Sequence, residues 1–154
     1  MLKQLLVILN IILLVNIANS QEIEIITQEK IQGAVTLLAH SPNGQLIASA
    51  DNNSNIIKIW DFNSGKIIGK LVGHDGRPTA FTFNASGTRV ISADKNKQLI
   101  FWDIERWKIV DTLRVEHEIK SFALNKAKPM TFYYGDDTSQ ISEGVFFNLK
   151  STNV

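Results

Sequence analysis

The stretch Leu71–Asp103 reads LVGHDGRPTAFTFNASGTRVISADKNKQLIFWD, and its landmarks recur elsewhere in the chain. Its closing pair Trp102-Asp103 has a counterpart, Trp60-Asp61, 42 positions earlier. Ser92-Ala93-Asp94 repeats Ser49-Ala50-Asp51 at an interval of 43, and the turn Asn84-Ala85-Ser86-Gly87 repeats Ser41-Pro42-Asn43-Gly44 at the same interval. His117 follows His74 by 43 again. Several landmarks in one register mark an internal repeat, and a period in the forties signals supersecondary units stacked side by side. Within each period, short β-type runs alternate with clusters of Asn, Asp, Ser and Gly, the punctuation of strands and turns.

On these residues the segment resembles a unit of the WD-repeat β-propellers, with Gly73-His74, the turn before a second strand, Ser92 in that strand, and Trp102-Asp103 at its close. In that family a repeat of about 40–45 residues folds as one four-stranded blade. The resemblance runs from Val35 to Leu149 and is strongest from Ser41 to Leu113. It implies an all-β chain, an incomplete β-propeller of about three four-stranded antiparallel blades.

The expected organisation is a signal peptide over residues 1–20, an N-terminal strand and lead-in over 21–34, blade 1 over 35–72, blade 2 over 73–115, and a degenerate, incomplete blade 3 over 116–154. Blade 1 is expected to use strands Val35–Ala39, Leu46–Ala50, Ile56–Trp60 and Lys66–Leu71. Blade 2 follows as Thr79–Phe83, Arg89–Ala93, Gln98–Trp102 and Lys108–Leu113. For blade 3 the expectation is Ile119–Leu124, Met130–Tyr134 and Gly144–Asn148, with Phe147-Asn148 or Phe146-Phe147 in the Trp-Asp place. Glu22–Thr27 alternates polar and apolar residues and reads as a further strand. Propellers close with about four to eight blades, so the chain is expected to be part of a propeller or to close with other chains.

Met1-Leu2-Lys3 supplies a basic start, Leu5–Val15 is almost wholly apolar, and Ala18 and Ser20 stand at −3 and −1 before Gln21. That is the three-part pattern of a secretory signal, and the apolar run falls short of the ~20 residues of a spanning helix. The expectation is therefore export, periplasmic or secreted, with no membrane attachment once the leader is cleaved. Only Lys3 among the charged residues lies in the leader, so the remainder is charge-balanced and has no nucleic-acid footprint. The chain has no cysteine, which removes disulfides and thiolate metal sites.

The resemblance assigns His74 to a structural hydrogen-bond relay with Ser92 and Trp102 rather than to catalysis. The family's fourth member, an Asp six residues before the Trp, is Asn96 here, and Asp94 lies in the same turn. Either Asp94 or Asn96 is a candidate to end the relay. Blade 1 reads as poorer, with Gly33-Ala34 standing where Gly-His is expected, and blade 3 keeps His117 without a tryptophan. Asp61 and Asp103 are expected to cap the turns that follow them. Asp136-Asp137 reads as a strand-connecting turn in preference to a cation site, since no calcium-loop pattern accompanies it. His40 reads as a packed or rim residue.

No nucleophile elbow, zinc-protease motif or phosphate loop occurs, so no catalytic residue, metal or cofactor is expected. Arg77 and Trp107 are candidates for partner binding, Trp and Arg being enriched in interface hot spots; for Trp107 a cover over an outer strand is the competing role. The expected function is that of a non-catalytic, exported protein-interaction scaffold. Its partners are proteins, or further copies of itself recruited through open blade edges. The alternative is the leading propeller segment of a longer enzyme, such as a protease with regulatory WD repeats.

Overall fold

A computed structural model of the chain describes residues 33–125, 127–128 and 131–145. The leader of residues 1–20, the strand expected at 22–27, and the Phe146, Phe147 and Asn148 alternatives for blade 3 lie outside these residues. The described residues form three antiparallel sheets and no helix. The first contains β1 (Val35–His40), β2 (Leu46–Asp51), β3 (Ile57–Asp61) and β4 (Ile67–Leu71) in that order. The second contains β5 (Pro78–Phe83), β6 (Arg89–Asp94), β7 (Gln98–Asp103) and β8 (Lys108–Arg114), again in order. The third contains β9 (Ile119–Leu124), β10 (Thr131–Asp136) and β11 (Ile141–Val145). Three consecutive sheets of hairpin-connected strands are successive propeller blades.

Period-2 alternation gives each blade two faces. In blade 1, Ala48, Ala50, Ile57 and Ile59 face one way and are buried against Phe81, Phe83, Val90, Ile100, Trp102 and Ile104 of blade 2. Blade 2 turns Ala80, Ile91, Ala93, Leu99 and Phe101 toward Ile119 and Phe132 of blade 3. Large side chains on one face thus meet small and branched ones on the other, which lets neighbouring blades interlock. Phe101, Phe122 and Phe132 carry the second interface, with Phe122 and Phe132 edge to face at 5.6 Å between centroids.

The turns explain themselves locally. Each second strand ends in an aspartate, Asp51, Asp94 or Asp136, whose Oδ1 accepts the backbone N–H two residues on. Lys97 and Ser139, each three residues past that aspartate, take the left-handed conformation that closes the tight turn.

Blade 3 departs from the expected strands. Its second strand is Thr131–Asp136, in place of the expected Met130–Tyr134, because Gly135 and Asp136 continue the pairing with β9 and β11. Its third strand begins at Ile141, in place of Gly144. The register pairs Phe132 with Gly144 as it pairs Val90 with Trp102, so Gly144 holds the tryptophan place. A Cβ there would meet the Phe132 ring at 2.4 Å, and that ring fills the space an indole takes in blade 2.

Candidate functional site

Four side chains from three segments of blade 2 converge on one buried chain of hydrogen bonds. Strand β6 supplies Ser92 and Asp94, two residues apart and therefore on one face. Strand β7 supplies Trp102, and the loop entering blade 2 supplies His74. Trp102 Nε1–H donates to Ser92 Oγ at 2.7 Å. Ser92 Oγ lies 2.6 Å from His74 Nε2, and His74 Nδ1 lies 3.2 Å from Asp94 Oδ2. An indole N–H can only donate, so one proton arrangement runs through the whole set. Trp102 donates to Ser92, Ser92 donates to Nε2, and a neutral His74 donates from Nδ1 to the carboxylate.

Asp94 is the hub. Beyond His74, its Oδ2 accepts Gly76 N–H at 2.9 Å, while Oδ1 accepts Asn96 N–H and Gln98 N–H at 2.9 Å each. Asn96, the other candidate for the relay's end, enters only through its backbone N–H. Counting back from the tryptophan misplaces the carboxylate, because the aspartate belongs to the end of β6 and not to the turn. Gly73 is required by close approach, since a Cβ would meet Ile109 Cδ1 at 2.8 Å and Trp102 Cη2 at 3.1 Å.

The Ser–His–Asp order copies the connectivity of a hydrolytic triad, so exposure decides what the set can do. Ser92 and Asp94 are 0% exposed, and the His74 side chain is 0% exposed. A substrate carbonyl has no route to Ser92 Oγ, whose lone pair already accepts the indole N–H. Burial lowers the pKa of His74 below its ordinary value; Asp94 pulls it up without offsetting the desolvation. A depressed folded pKa means that the unfolded chain takes up this proton first. The relay's contribution is therefore complete above about pH 6.5 and is lost as pH falls below it. Thermal melts at pH 7.5 and 5.5 should show a lower midpoint at pH 5.5, and His74→Gln should show a smaller drop. The carboxylates Asp61 and Asp136, held low by hydrogen bonds from Ser64 and Thr138, titrate well below that window.

The other two blades carry fragments of the set. Trp60 Nε1–H donates to Ser49 Oγ at 2.7 Å in blade 1. Val35 pairs with Asp51 as Pro78 pairs with Asp94, so the imidazole's place in blade 1 falls at position 31 and not at Gly33-Ala34. That position is outside the described residues. In blade 3 the register puts Tyr134 where Ser92 stands, and His117 faces the exposed Asp137 at 3.7 Å. Asp136 caps its turn, accepting Thr138 N–H, Thr138 Oγ–H and Gln140 N–H. Among the described residues no group of three metal-capable side chains comes together. Asp61 and Asp103 cap the turns after them, Asp61 accepting Ser64 N–H and Asp103 accepting Glu105 and Arg106 N–H.

Arg77 lies exposed at the mouth of a cleft of about 210 Å³ between blades 1 and 2, beside Asn52, Thr79 and Lys95. Its guanidinium donates to Asn52 O at 3.2 Å and so ties the two blades together at this surface. Trp107 sits elsewhere, in the turn between β7 and β8. It has φ 55°, a left-handed conformation that a bulky residue rarely takes, at the place glycine holds in blade 1 as Gly65 with φ 64°. A Cβ on Gly69 would fall inside its ring, 1.9 Å from Cζ3. The six-membered ring of the indole is thus packed against Gly69 of β4 in the neighbouring blade, with the residue still 42% exposed. This matches the covering role over an outer strand expected for Trp107, and Gly69 of β4 makes the room for it.

Comparison with known proteins locates this arrangement. The model of the anaphase-promoting complex subunit 4 WD40 domain matches residues 6–86. A periodic tryptophan protein 2 homolog of Schizosaccharomyces pombe is 29% identical over 89 residues, 57% of this chain and 10% of that protein. The nuclear distribution protein PAC1-2 of Uncinocarpus reesii is 38% identical over 63 residues, 40% of this chain and 14% of its own length. The chain thus spans about a tenth of the length of such relatives. Among solved structures, the β-propeller domain of Myceliophteria thermophila Cps50 (Swd1) superposes with a TM-score of 0.67 at 20% identity, covering 79% of this chain and 38% of that one.

Proposed function

Because the chain belongs to the WD40-repeat β-propeller family, we propose that it is an exported, non-catalytic scaffold that binds a partner protein through the loop face around Arg77. Propellers of this family generally bind proteins, and the observation that carries the reading here is the complete burial of the His74 relay. Among the described residues, the one constellation with catalytic connectivity is consumed in holding strands together, which favours the loops as the working surface. On that surface Arg77, Lys95 and Asn52 line the cleft between blades 1 and 2. Two cations, Arg77 and Lys95, against the one carboxylate of Asp51 in this lining favour a carboxylate-bearing segment of the partner.

Two measurements test this. Immobilised chain is compared with an Arg77→Glu variant for partners retained from the extracellular or periplasmic fraction of the source cells. The variant should lose at least tenfold in retention at unchanged melting temperature, and equal retention would sink the loop-face reading. For export, the first residue of the mature protein should be Gln21 when the released material is sequenced from its N-terminus; retention of Met1 in the cell fraction would refute it.

A further inference from the structure

The two interfaces between blades are built alike: the rear face of one blade, rich in Ala and Ile, covers the front face of the next. Among the described residues, both halves of one more such interface stand open, at opposite ends of the row. At the front of blade 1, register equates Leu38 with Phe81, Ile47 with Val90 and Trp60 with Trp102. Phe62 matches Ile104 in the same way, each donating its backbone N–H to the preceding turn. Yet Leu38 and Phe62 are 69% and 60% exposed, where Phe81 and Ile104 are 8% and 5%. A cleft of about 470 Å³ opens there between Leu38, Ile47 and Phe62. At the rear of blade 3, register equates Tyr133 with Ile91, Ile141 with Leu99 and Glu143 with Phe101. Ile91 is fully buried in blade 2, whereas Tyr133 is 37% and Ile141 80% exposed.

We propose that the rear face of blade 3 in one copy covers the front face of blade 1 in a second copy. The contact is head to tail and used twice, so that two chains pool their blades into one ring. A heterologous contact closes when its rotation allows, and the blades described in two copies fall within the ~four to eight of closed propellers. Charge selects this occupant over an unrelated apolar sheet. Lys58 stands on the front of blade 1 where blade 2 has the buried Ile100, and Glu143 stands on the rear of blade 3 where blade 2 has Phe101. Either charge alone would be costly against an apolar face; together they are complementary. The equivalents of the two positions lie in one buried cluster inside the chain, Ile59 on one rear face and Ile100 on the next front face. Among the described residues, Lys58 pairs with Asp51 at 3.6 Å and Glu143 with Lys128 at 3.4 Å. Both contacts are long, and each leaves room for a second partner. The assembly is independent of the loop-face reading, since Arg77 lies on neither end face.

The full chain is measured by size-exclusion chromatography with light scattering at micromolar concentration. The expected mass is twice that of the single chain. Phe62→Asp and Lys58→Glu should each give the single-chain mass with unchanged far-ultraviolet circular dichroism, and Lys58→Glu combined with Glu143→Lys should restore the doubled mass. Arg77→Glu should leave the mass unchanged. A wild-type chain of single mass would overturn the proposal, whether residues 1–32 or nothing covers the face. So would open-ended growth, or a doubled mass that survives both single substitutions.

Discussion

Asp94→Ala is expected to lower stability by about 4 kcal/mol, since each buried donor left without an acceptor costs roughly 1–3 kcal/mol. The side chain is completely buried and accepts from His74, Gly76, Asn96 and Gln98. Asn96 is exposed and can turn to water, whereas His74, Gly76 and Gln98 cannot. Single domains hold only about 5–15 kcal/mol in total, so the variant should unfold at or near room temperature. The matching change in blade 1, Asp51→Ala, removes the acceptor of one backbone N–H, that of Asn53, and a 3.6 Å contact with Lys58, and should cost about 1 kcal/mol. Urea titrations of the two variants measure the contrast. Equal losses would show that the hub role assigned to Asp94 is wrong.

Trp102→Ala should cost about 3–5 kcal/mol, the usual range for deleting a buried aromatic. The indole is 2% exposed, stands edge-on to His74 at 6.0 Å between centroids, and donates its N–H to Ser92 Oγ. Trp102→Phe separates the two contributions, because it keeps most of the packing and removes the donor; a loss of about 1–2 kcal/mol is expected. Trp60→Ala, on the half-covered front of blade 1, should cost less than Trp102→Ala. A reversed order in denaturant unfolding would contradict the view that blade 2 is the best-formed unit.

Much of this was legible because a repeat states its pattern more than once. The spacing of Ser49 to Ser92 and Trp60 to Trp102 placed the strands of blades 1 and 2 to within a residue, and the resemblance to WD repeats implied one network of Ser92, His74 and Trp102. Reading failed where the repeat decays. With no tryptophan in blade 3, nothing in the composition tells Gly144 from Phe147 as its replacement; only the pairing of Phe132 with Gly144 does. The choice between Asp94 and Asn96 stayed open for a different reason. Both are turn formers two residues apart, and which carboxylate or amide faces inward depends on where β6 ends. The Trp107 seat needed three-dimensional proximity between residues 69 and 107, a pair outside the repeat interval.

Residue-resolved amide hydrogen exchange on the native chain tests the central claim most directly, namely that the relay locks blade 2 as the structural keystone and is not a reactive centre. The amides of Gly76 and Gln98, which are bound by Asp94, should exchange as slowly as the core of β6 and β7. Both should be at least tenfold slower than the corresponding amides of blade 3. Fast exchange at Gly76 and Gln98, or equal protection across the three blades, would mean that the relay opens readily and that His74 and Ser92 are available for chemistry.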